Sequence, residues 1–282
     1  MILINSTEYY THQEEDPSKK QLANICETIG ANILLTNFGY SISRQGKWWS
    51  WVLSLMGPLK ELVGGNVMWL KASERGRLLD IGCGNGYFLV QMRDLGWDVV
   101  GVEPDPKAVK VARDHFGLRV FQGTLEEAKF PDDSFDVITM NHVIEHVPDP
   151  IGLLSECRRI LKPNGKLVVV TPNIKSLGRY LFGKSWVHWD PPRHLFLFSS
   201  KSLRTCAEKA GLKVQRLWTP AKGALWMWMT SRLIKCDGFI PGGLLNKVSL
   251  RLKMEMIMFW TVEYIINRFR YVGEELALEA SK

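Results

Sequence analysis

A glycine-rich loop with an acidic residue before it gives the strongest chemical signal in this chain. The segment 78–86 reads LLDIGCGNG, and Asp80 stands two positions before its first glycine. Glycines permit positive φ angles and let a ligand approach the backbone closely, and N–H groups at the start of the next helix can hold a polar or anionic group. The G-x-G-x-G spacing differs from the G-x-G-x-x-G of dinucleotide-binding loops. The loop therefore predicts a ligand-binding turn.

A second acid, Glu103, ends the apolar segment 97–103 and stands 17 residues after Gly86. A carboxylate at the tip of the second strand can accept hydrogen bonds from both ribose hydroxyls of a nucleoside lying across the sheet edge. The loop and Glu103 together predict a nucleoside-containing cofactor at this edge. The alternative is that the glycines only form a tight turn and that Glu103 is a solvated strand end.

Three of the six histidines, His142, His146 and His194, fall in loops expected beside the cofactor pocket. Histidine is the side chain best suited to accept a proton near neutral pH, so these three are the predicted catalytic residues. His142, Glu145 and His146 also have i, i+3, i+4 spacing, which on one helical turn would place them on one face. Such a face could hold a divalent cation. A histidine base, a metal site and a packing role stay open, and we assign no metal.

The loop 182–195, which reads FGKSWVHWDPPRHL, is the next informative stretch. It follows the fifth predicted strand, at the edge where α/β proteins bind ligands. Its aromatic and charged side chains offer a flat apolar wall and hydrogen-bonding groups. The predicted acceptor-binding residues are Trp186, Asp190, Arg193 and His194. The alternative is a rigid Pro-Pro loop that is locked by an ion pair between Asp190 and Arg193.

The elements that must position these residues alternate between strand and helix from residue 76 to residue 219. The strands are short, almost continuously apolar runs, which is typical of a parallel sheet covered on both faces. Strand and helix at this spacing predict right-handed βαβ units. The chain is therefore predicted to be an α/β protein.

Taken in order, these motifs resemble those of class I S-adenosylmethionine-dependent methyltransferases, nearest to the branch that includes ubiquinone-biosynthesis O-methyltransferases. The resemblance lies in LLDIGCGNGYFL, GVEPDP, FPDDSFDVITMNHVIEHVPDP and LKPNGKLVVVTPN. It implies a Rossmann-like, seven-stranded, mostly parallel sheet with helices on both faces. KVQRLW and the terminal GEELALEAS would supply the last two strands, separated by a helical insertion.

The resemblance also implies S-adenosyl-L-methionine as the cofactor and assigns its contacts by matching motif. The residues implied around its methionine part are Asp80, Gly82, Gly84 and Gly86. The resemblance further implies Glu103 at the ribose, Thr124 and Leu125 at the adenine, and Asn141 and His142 near the sulfonium. Cys83 and Pro104 are further implied contacts of the cofactor. Some related enzymes have Glu-x-x-Glu-His and are thought to use a metal, whereas this chain has His142 at the position of the first Glu.

Methyl transfer from a sulfonium needs alignment of donor and acceptor more than activation, because the methyl group is already electrophilic. We therefore predict a methyltransferase that acts at an oxygen of a small or lipid-linked acceptor. One alternative is an NAD-dependent Rossmann oxidoreductase, which the glycine spacing disfavours. Another is a non-catalytic, membrane-associated protein that binds S-adenosylmethionine.

Composition and cysteine usage favour an intracellular location. The 282 residues include 36 Lys or Arg and 29 Asp or Glu, a net charge of +7, and 46% are hydrophobic, which excludes disordered, collagen-like and disulfide-miniprotein classes. The five cysteines are dispersed and form no C-x-x-C pair, which suits a reducing compartment. The N-terminus lacks the basic and then apolar segments of a signal peptide. We predict a cytoplasmic location. Peripheral binding to the inner face of a membrane stays open as an alternative. No nucleic-acid partner is expected, because much of the excess positive charge lies in an apolar segment.

The predicted organisation has an N-terminal helical extension at 1–75, a cofactor-binding core at 76–219, an apolar basic helical insertion at 220–272, and the last strand at 273–282. Within the insertion, residues 225–272 hold seven Lys or Arg against three Asp or Glu. Its apolar runs are shorter than the roughly 20 residues that span a bilayer. For 222–272 a lid, a peripheral membrane contact, a homodimer surface and core packing all stay open.

Overall fold

A seven-stranded sheet organises the computed structural model, which describes residues 30–41, 55–238 and 249–282. The strand order is β3-β2-β1-β4-β5-β7-β6, and all neighbours are parallel except β7, which is antiparallel to β5 and β6. The strands are β1 Arg77–Ile81, β2 Asp98–Glu103, β3 Val120–Gln122, β4 Phe135–Asn141, β5 Leu161–Pro172, β6 Lys213–Trp218 and β7 Glu275–Ser281. The predicted Rossmann-like fold class is confirmed, including the last two strands.

Helices connect the strands and precede them. They are α1 over residues 30–38, α2 Gly57–Asn66, α3 Tyr87–Asp94, α4 Pro106–Asp114, α5 Leu125–Ala128, α6 Pro150–Ile160, α7 Leu177–Phe182, α8 Ser200–Lys209, α9 Ala224–Asp237 and α10 Leu250–Ile266. Short 3-10 turns cover Ala72–Glu74, Ile144–His146, Gly183–Ser185 and Val187–Trp189. The described residues contain no helix long and apolar enough to cross a membrane.

The core lies on both faces of the sheet. Leu78 and Leu79 are neighbours in β1, and neither is exposed to solvent. Because successive strand residues point to opposite faces, Leu78 packs in one cluster with Leu89 of α3, and Leu79 in another with Leu154 of α6. This arrangement explains why the strands read as continuous apolar runs.

The segment before the core is fixed to it through Tyr40. This side chain is fully buried, and its hydroxyl donates to the carbonyl of Leu70 at 3.1 Å and accepts from Trp97 Nε1 at 3.0 Å. Farther along the segment, the Trp69 ring packs edge-on against Trp218 at the end of β6. The WWSW motif at 48–51 lies outside the described residues.

The insertion between β6 and β7 forms the helices α9 and α10, which pack against each other. Their shared cluster is completed by the end of α7 and the segment that follows it, and it consists of Phe182, Trp186, Val187, Ala224, Met227 and Phe259. The insertion therefore covers the back of the loop that was predicted to border the acceptor.

Candidate active site

The glycine loop turns sharply between β1 and α3. Gly82, Gly84 and Gly86 have φ values of 69°, 53° and 86°, a region that side chains with a Cβ atom rarely adopt. The N–H groups of Gly82 and Cys83 both donate to the carbonyl of Val102, at 2.8 and 3.2 Å. These bonds tie the loop to the end of β2.

The glycines of the loop have different surroundings. A Cβ atom on Gly86 would lie 2.4 Å from Leu118 Cδ1, so this glycine is needed for the packing of the loop against the core. A Cβ atom on Gly84 would meet no atom within 4 Å. The backbone of Gly84 therefore borders open space, which fits a loop that a ligand approaches closely.

Glu103 supports the loop as well as ending β2. Its Oε2 accepts from the N–H of Gly84 at 2.8 Å, and its Oε1 accepts from the N–H of Asp105 at 2.9 Å. Each carboxylate oxygen can accept a second hydrogen bond, so the group retains two positions for ribose hydroxyls. The open face of Gly84 and the carboxylate of Glu103 together fit a nucleoside cofactor. The structural role of Glu103 was missed by the sequence reasoning.

Asp80 lies beneath the loop in the interior of the sheet. Its carboxylate accepts from the Thr139 hydroxyl at 2.7 Å, across the β1–β4 pair. Burial raises the pKa of Asp80 to about 7, against the lowering effect of the Thr139 hydrogen bond. Cys83 is also buried, and burial raises the pKa of its thiol.

The other predicted cofactor contacts lie around the same edge. Thr124 caps α5, because its hydroxyl accepts from the N–H of Glu127 at 3.3 Å. Leu125 is buried, whereas Pro104 and Asn141 are exposed at the ends of β2 and β4. The roles of these residues toward a cofactor stay predictions.

His142 follows β4 and is held between two carboxylates. Its Nδ1 lies 3.0 Å from Glu145 Oε1, and its Nε2 lies 3.0 Å from Glu275 Oε1. Burial by itself would lower the pKa of His142, but the hydrogen bonds and charges of Glu145 and Glu275 raise it to about 10. The imidazole is therefore protonated at neutral pH, and this geometry does not favour the predicted role of His142 as a base.

The expectation that His142, Glu145 and His146 share one helical turn is wrong. His142 has a φ of 56°, and only the 3-10 turn Ile144–His146 follows it. His146 turns instead toward the loop 182–195, called the acceptor loop below, where its Nδ1 lies 2.9 Å from the carbonyl oxygen of Arg193. Ligand atoms of Glu145, His146 and His194 lie within 4.8 Å of one another, so the residues that could hold a cation include His194 and not His142.

The acceptor loop is locked in the way that the sequence left open. Arg193 forms an ion pair with Asp190, with its Nη2 2.5 Å from Asp190 Oδ2. Trp186 is only 1% exposed, and its Nε1 donates to Glu274 Oε2 at 2.9 Å. This burial does not favour Trp186 as a flat outer wall for the acceptor, because the ring lies behind the loop. The loop nevertheless lies beside His142 and His146.

His188 was missed by the sequence reasoning. Its ring is stacked near those of His142 and His194, with centroids 5.8 and 6.5 Å away, and near the edge of Trp186. The side chain is buried, and Nε2 has no hydrogen-bond partner among the described residues. Burial lowers the pKa of His188 well below its usual value, so the ring is neutral. The sequence signal that could have identified His188 is its position in the loop 182–195, six residues before His194.

His194 has the geometry of a proton acceptor. Its Nδ1 lies 2.7 Å from the carbonyl oxygen of His188, which requires the proton on Nδ1 and leaves the lone pair on Nε2. The side chain is half-buried and burial lowers its pKa, so the neutral form dominates at neutral pH. His146 contacts it edge-on, with ring centroids 4.7 Å apart.

Comparison with known proteins shows similarity to methyltransferases over this core. A family model described as a methyltransferase domain matches residues 59–217. A ubiquinone biosynthesis O-methyltransferase of Cereibacter sphaeroides is 36% identical over 167 residues, which cover 55% of this chain and 68% of the relative. The enzyme of the same name from Xanthomonas oryzae is 40% identical over 104 residues, which cover 34% of this chain and 43% of the relative.

Solved structures share the fold. An S-adenosylmethionine-dependent methyltransferase from Mesorhizobium loti has a TM-score of 0.52 and 17% identity, covering 79% of this chain and 98% of its own. Phosphoethanolamine N-methyltransferase 2 of Haemonchus contortus, in complex with S-adenosyl-L-methionine, has a TM-score of 0.51 and 20% identity, covering 94% of this chain and 58% of its own. At these identities the likeness concerns the fold alone.

The buried Asp80 predicts a specific dependence of stability on pH. Its folded pKa of about 7 exceeds the unfolded value, so its contribution to stability is fully present below the unfolded pKa and is lost as pH rises through the folded one. Asp80→Asn removes this titration while Thr139 keeps an acceptor. We therefore compare the unfolding free energy of the variant with that of the wild type at two pH values. The difference, variant minus wild type, should be about 2–3 kcal/mol larger at about pH 8 than at about pH 5.

Urea unfolding of both proteins at the two pH values measures this difference. Every other titratable group is present in both proteins, so its contribution cancels in the comparison. A stability difference that does not change with pH would show that Asp80 is ionised in the folded protein.

Proposed function

The chain belongs to the methyltransferase-domain family and uses S-adenosylmethionine, and from this premise we propose that it methylates an oxygen atom of a small or lipid-linked acceptor. The observation that supports the cofactor-binding part of the proposal most directly is the pairing of the open backbone at Gly84 with the carboxylate of Glu103. The family assignment leaves the NAD-dependent alternative without support.

The cofactor supplies a methyl group that is already activated by its sulfonium. The residues of the glycine loop and Glu103 bind and orient the cofactor at the carboxyl ends of β1 and β2. Asp80 and Thr139 stabilise the strand beneath the loop through their buried hydrogen bond. Precise placement is the main contribution that the protein makes to such a displacement.

The oxygen acceptor is supported by the curated relatives, whose names describe O-methyltransferases. It is also supported by the neutral histidine at the same edge, because a hydroxyl becomes a better nucleophile when a base takes its proton. We assign this base to His194, whose Nε2 is left as an acceptor by the Nδ1 bond to His188. His142 instead positions Glu145 and Glu275 as their shared counter-charge.

We also retain the proposed division into an extension at 1–75, a core at 76–219, an insertion at 220–272 and a final strand at 273–282. It is supported by the start of β1 at Arg77 and the end of β6 at Trp218. The insertion helices α9 and α10 lie between β6 and β7 in the chain.

Alanine at two glycines should separate cofactor binding from folding. In Gly84→Ala the new Cβ atom enters open space, so the unfolding free energy should fall by only about 1–2 kcal/mol because of the positive φ. Affinity for S-adenosylhomocysteine should fall about tenfold or more, since the methyl group occupies the ligand side of the loop. Calorimetry and urea unfolding measure the two quantities.

Gly86→Ala is the matched control. Its Cβ atom would meet Leu118, so we expect a loss of about 2–5 kcal/mol in unfolding free energy from overpacking and strain. Wild-type affinity in Gly84→Ala would contradict the placement of the cofactor beside this residue.

The acceptor atom can be identified by labelled transfer. Protein is incubated with S-adenosylmethionine bearing a deuterated methyl group and with small-molecule and lipid extracts of its source. Mass spectrometry should locate the label on an oxygen, as a methyl ether or ester, and Gly84→Ala should give a reduced yield. A label on nitrogen, sulfur or carbon would contradict the oxygen assignment.

With the labelled product as the assay, His194→Gln should lower kcat by about 10²–10⁴-fold, the usual contribution of a general base. Affinity for S-adenosylhomocysteine should be unchanged, because His194 lies on the acceptor loop. His115→Gln, at an exposed histidine remote from the loop in sequence, is the control. Equal losses in His194→Gln and His146→Gln, together with inactivation of the wild type by a chelator, would instead identify a metal site.

A further inference from the structure

Helix α10 is apolar on two opposite faces. Its inner face packs against α9 and buries Phe259 and Glu263. Its outer face presents a series of large apolar side chains at spacings of three and four residues, the pattern of a single helical stripe. This outer stripe consists of Leu250, Met254, Ile257, Met258, Val262 and Ile265, continued by Phe269 just after the helix.

The outer stripe is strongly exposed. Leu250 is 75% exposed, Met254 64% and Phe269 84%. A helix that is apolar all round is normally buried on all sides, and a contiguous exposed apolar patch marks an interaction surface. The stripe therefore marks a surface that fits an apolar partner.

The surroundings of the stripe are positively charged. Its exposed cations are Arg251, Lys253, Arg268 and Arg270. The acids of α10 offset only one of these positive charges. Glu255 is paired with Arg251 and with Arg232 of α9, at 3.1 and 3.7 Å. Glu263 is buried, and burial raises its pKa well above the usual value.

We propose that the outer stripe of α10 docks on the surface of an anionic lipid membrane, with the helix lying parallel to the bilayer. The apolar side chains would enter the boundary between headgroups and acyl chains, as they do in interfacial helices. The flanking cations would meet lipid phosphates, and each contributes about fivefold to the affinity for an anionic surface. The proposal concerns a surface and is independent of the proposed catalytic base.

A second copy of this chain is a poorer partner for the stripe. A two-fold contact places the same patch of both subunits together, so the four flanking cations would approach their own copies. Like charges at such a contact repel each other, whereas anionic headgroups neutralise them. The charge distribution therefore favours a membrane over a dimer.

Docking would also bring the acceptor loop close to the lipid. Phe259, on the inner face of α10, packs in one cluster with Met227 of α9 and with Trp186 of the loop. Val187 of the same loop donates its N–H to the Ser231 hydroxyl of α9 at 3.0 Å. The helix pair thus connects the proposed membrane surface to the loop that contains His194.

Vesicle binding tests the proposal. Full-length protein should co-sediment with vesicles of phosphatidylcholine mixed with phosphatidylglycerol, and more weakly with phosphatidylcholine alone. Ile257→Gln/Ile265→Gln should weaken binding to the mixed vesicles by about tenfold, because two exposed apolar side chains no longer enter the lipid. Arg251→Gln/Lys253→Gln should instead remove much of the preference for the anionic lipid.

The matched control is Leu35→Gln/Leu55→Gln, which replaces two exposed leucines outside the insertion and should bind vesicles as the wild type does. Affinity for S-adenosylhomocysteine, measured for every variant, confirms that each is folded and reports separately on the cofactor site. Absence of vesicle binding by the wild type, or equal binding by the stripe variant, would overturn the proposal. A dimer in light scattering that only the stripe substitutions dissociate, without vesicle binding, would assign the stripe to a second copy.

Discussion

The geometry of the cofactor edge depends on the carboxylate of Glu103. One oxygen accepts from Gly84 in the glycine loop and the other from Asp105 at the start of α4, so a single side chain joins the turns after β1 and β2. Hydrogen bonds to a carboxylate are stronger than those between neutral groups, and the carboxylate of Glu103 is buried. A substitution at Glu103 therefore changes the shape of the loop as well as a ligand contact, and loss of affinity alone does not measure its bond to a ribose.

A second constraint lies at the ends of β4, β5 and β7. Glu145 has no solvent exposure, so its charge needs a partner inside the protein. It receives bonds from His142 and from the Thr171 hydroxyl, and His142 reaches on to Glu275. One protonated imidazole thus bridges two carboxylates and joins three strands. The imidazole that the sequence analysis assigned to proton acceptance is used here to hold the edge together.

The parts of this protein that could be predicted from sequence are those that depend on local spacing. The glycine loop directly follows β1, and Glu103 is the last residue of β2. Sequence position alone therefore places both of them at the carboxyl edge of the sheet. His142 could not be interpreted in this way, because Glu275 lies 133 positions away and meets it only once β7 enters the sheet. The burial of Trp186 depends similarly on Glu274, 88 positions away. His188 went unnoticed because a loop histidine reveals its burial only when the insertion covers it.

The position of the insertion gives these distant contacts a common cause. β7 lies between β5 and β6 and is antiparallel to both, so β6 ends and β7 begins at the carboxyl edge of the sheet. Helices α9 and α10 form the connection between these two strands at this edge, and Glu274 and Glu275 lie where the chain enters β7. The strand that supplies the partners of Trp186 and His142 is therefore positioned by the same helices that present the apolar stripe. The inner face of α10 and the acceptor loop share one cluster of packed side chains, so the helix that presents the stripe also supports the loop.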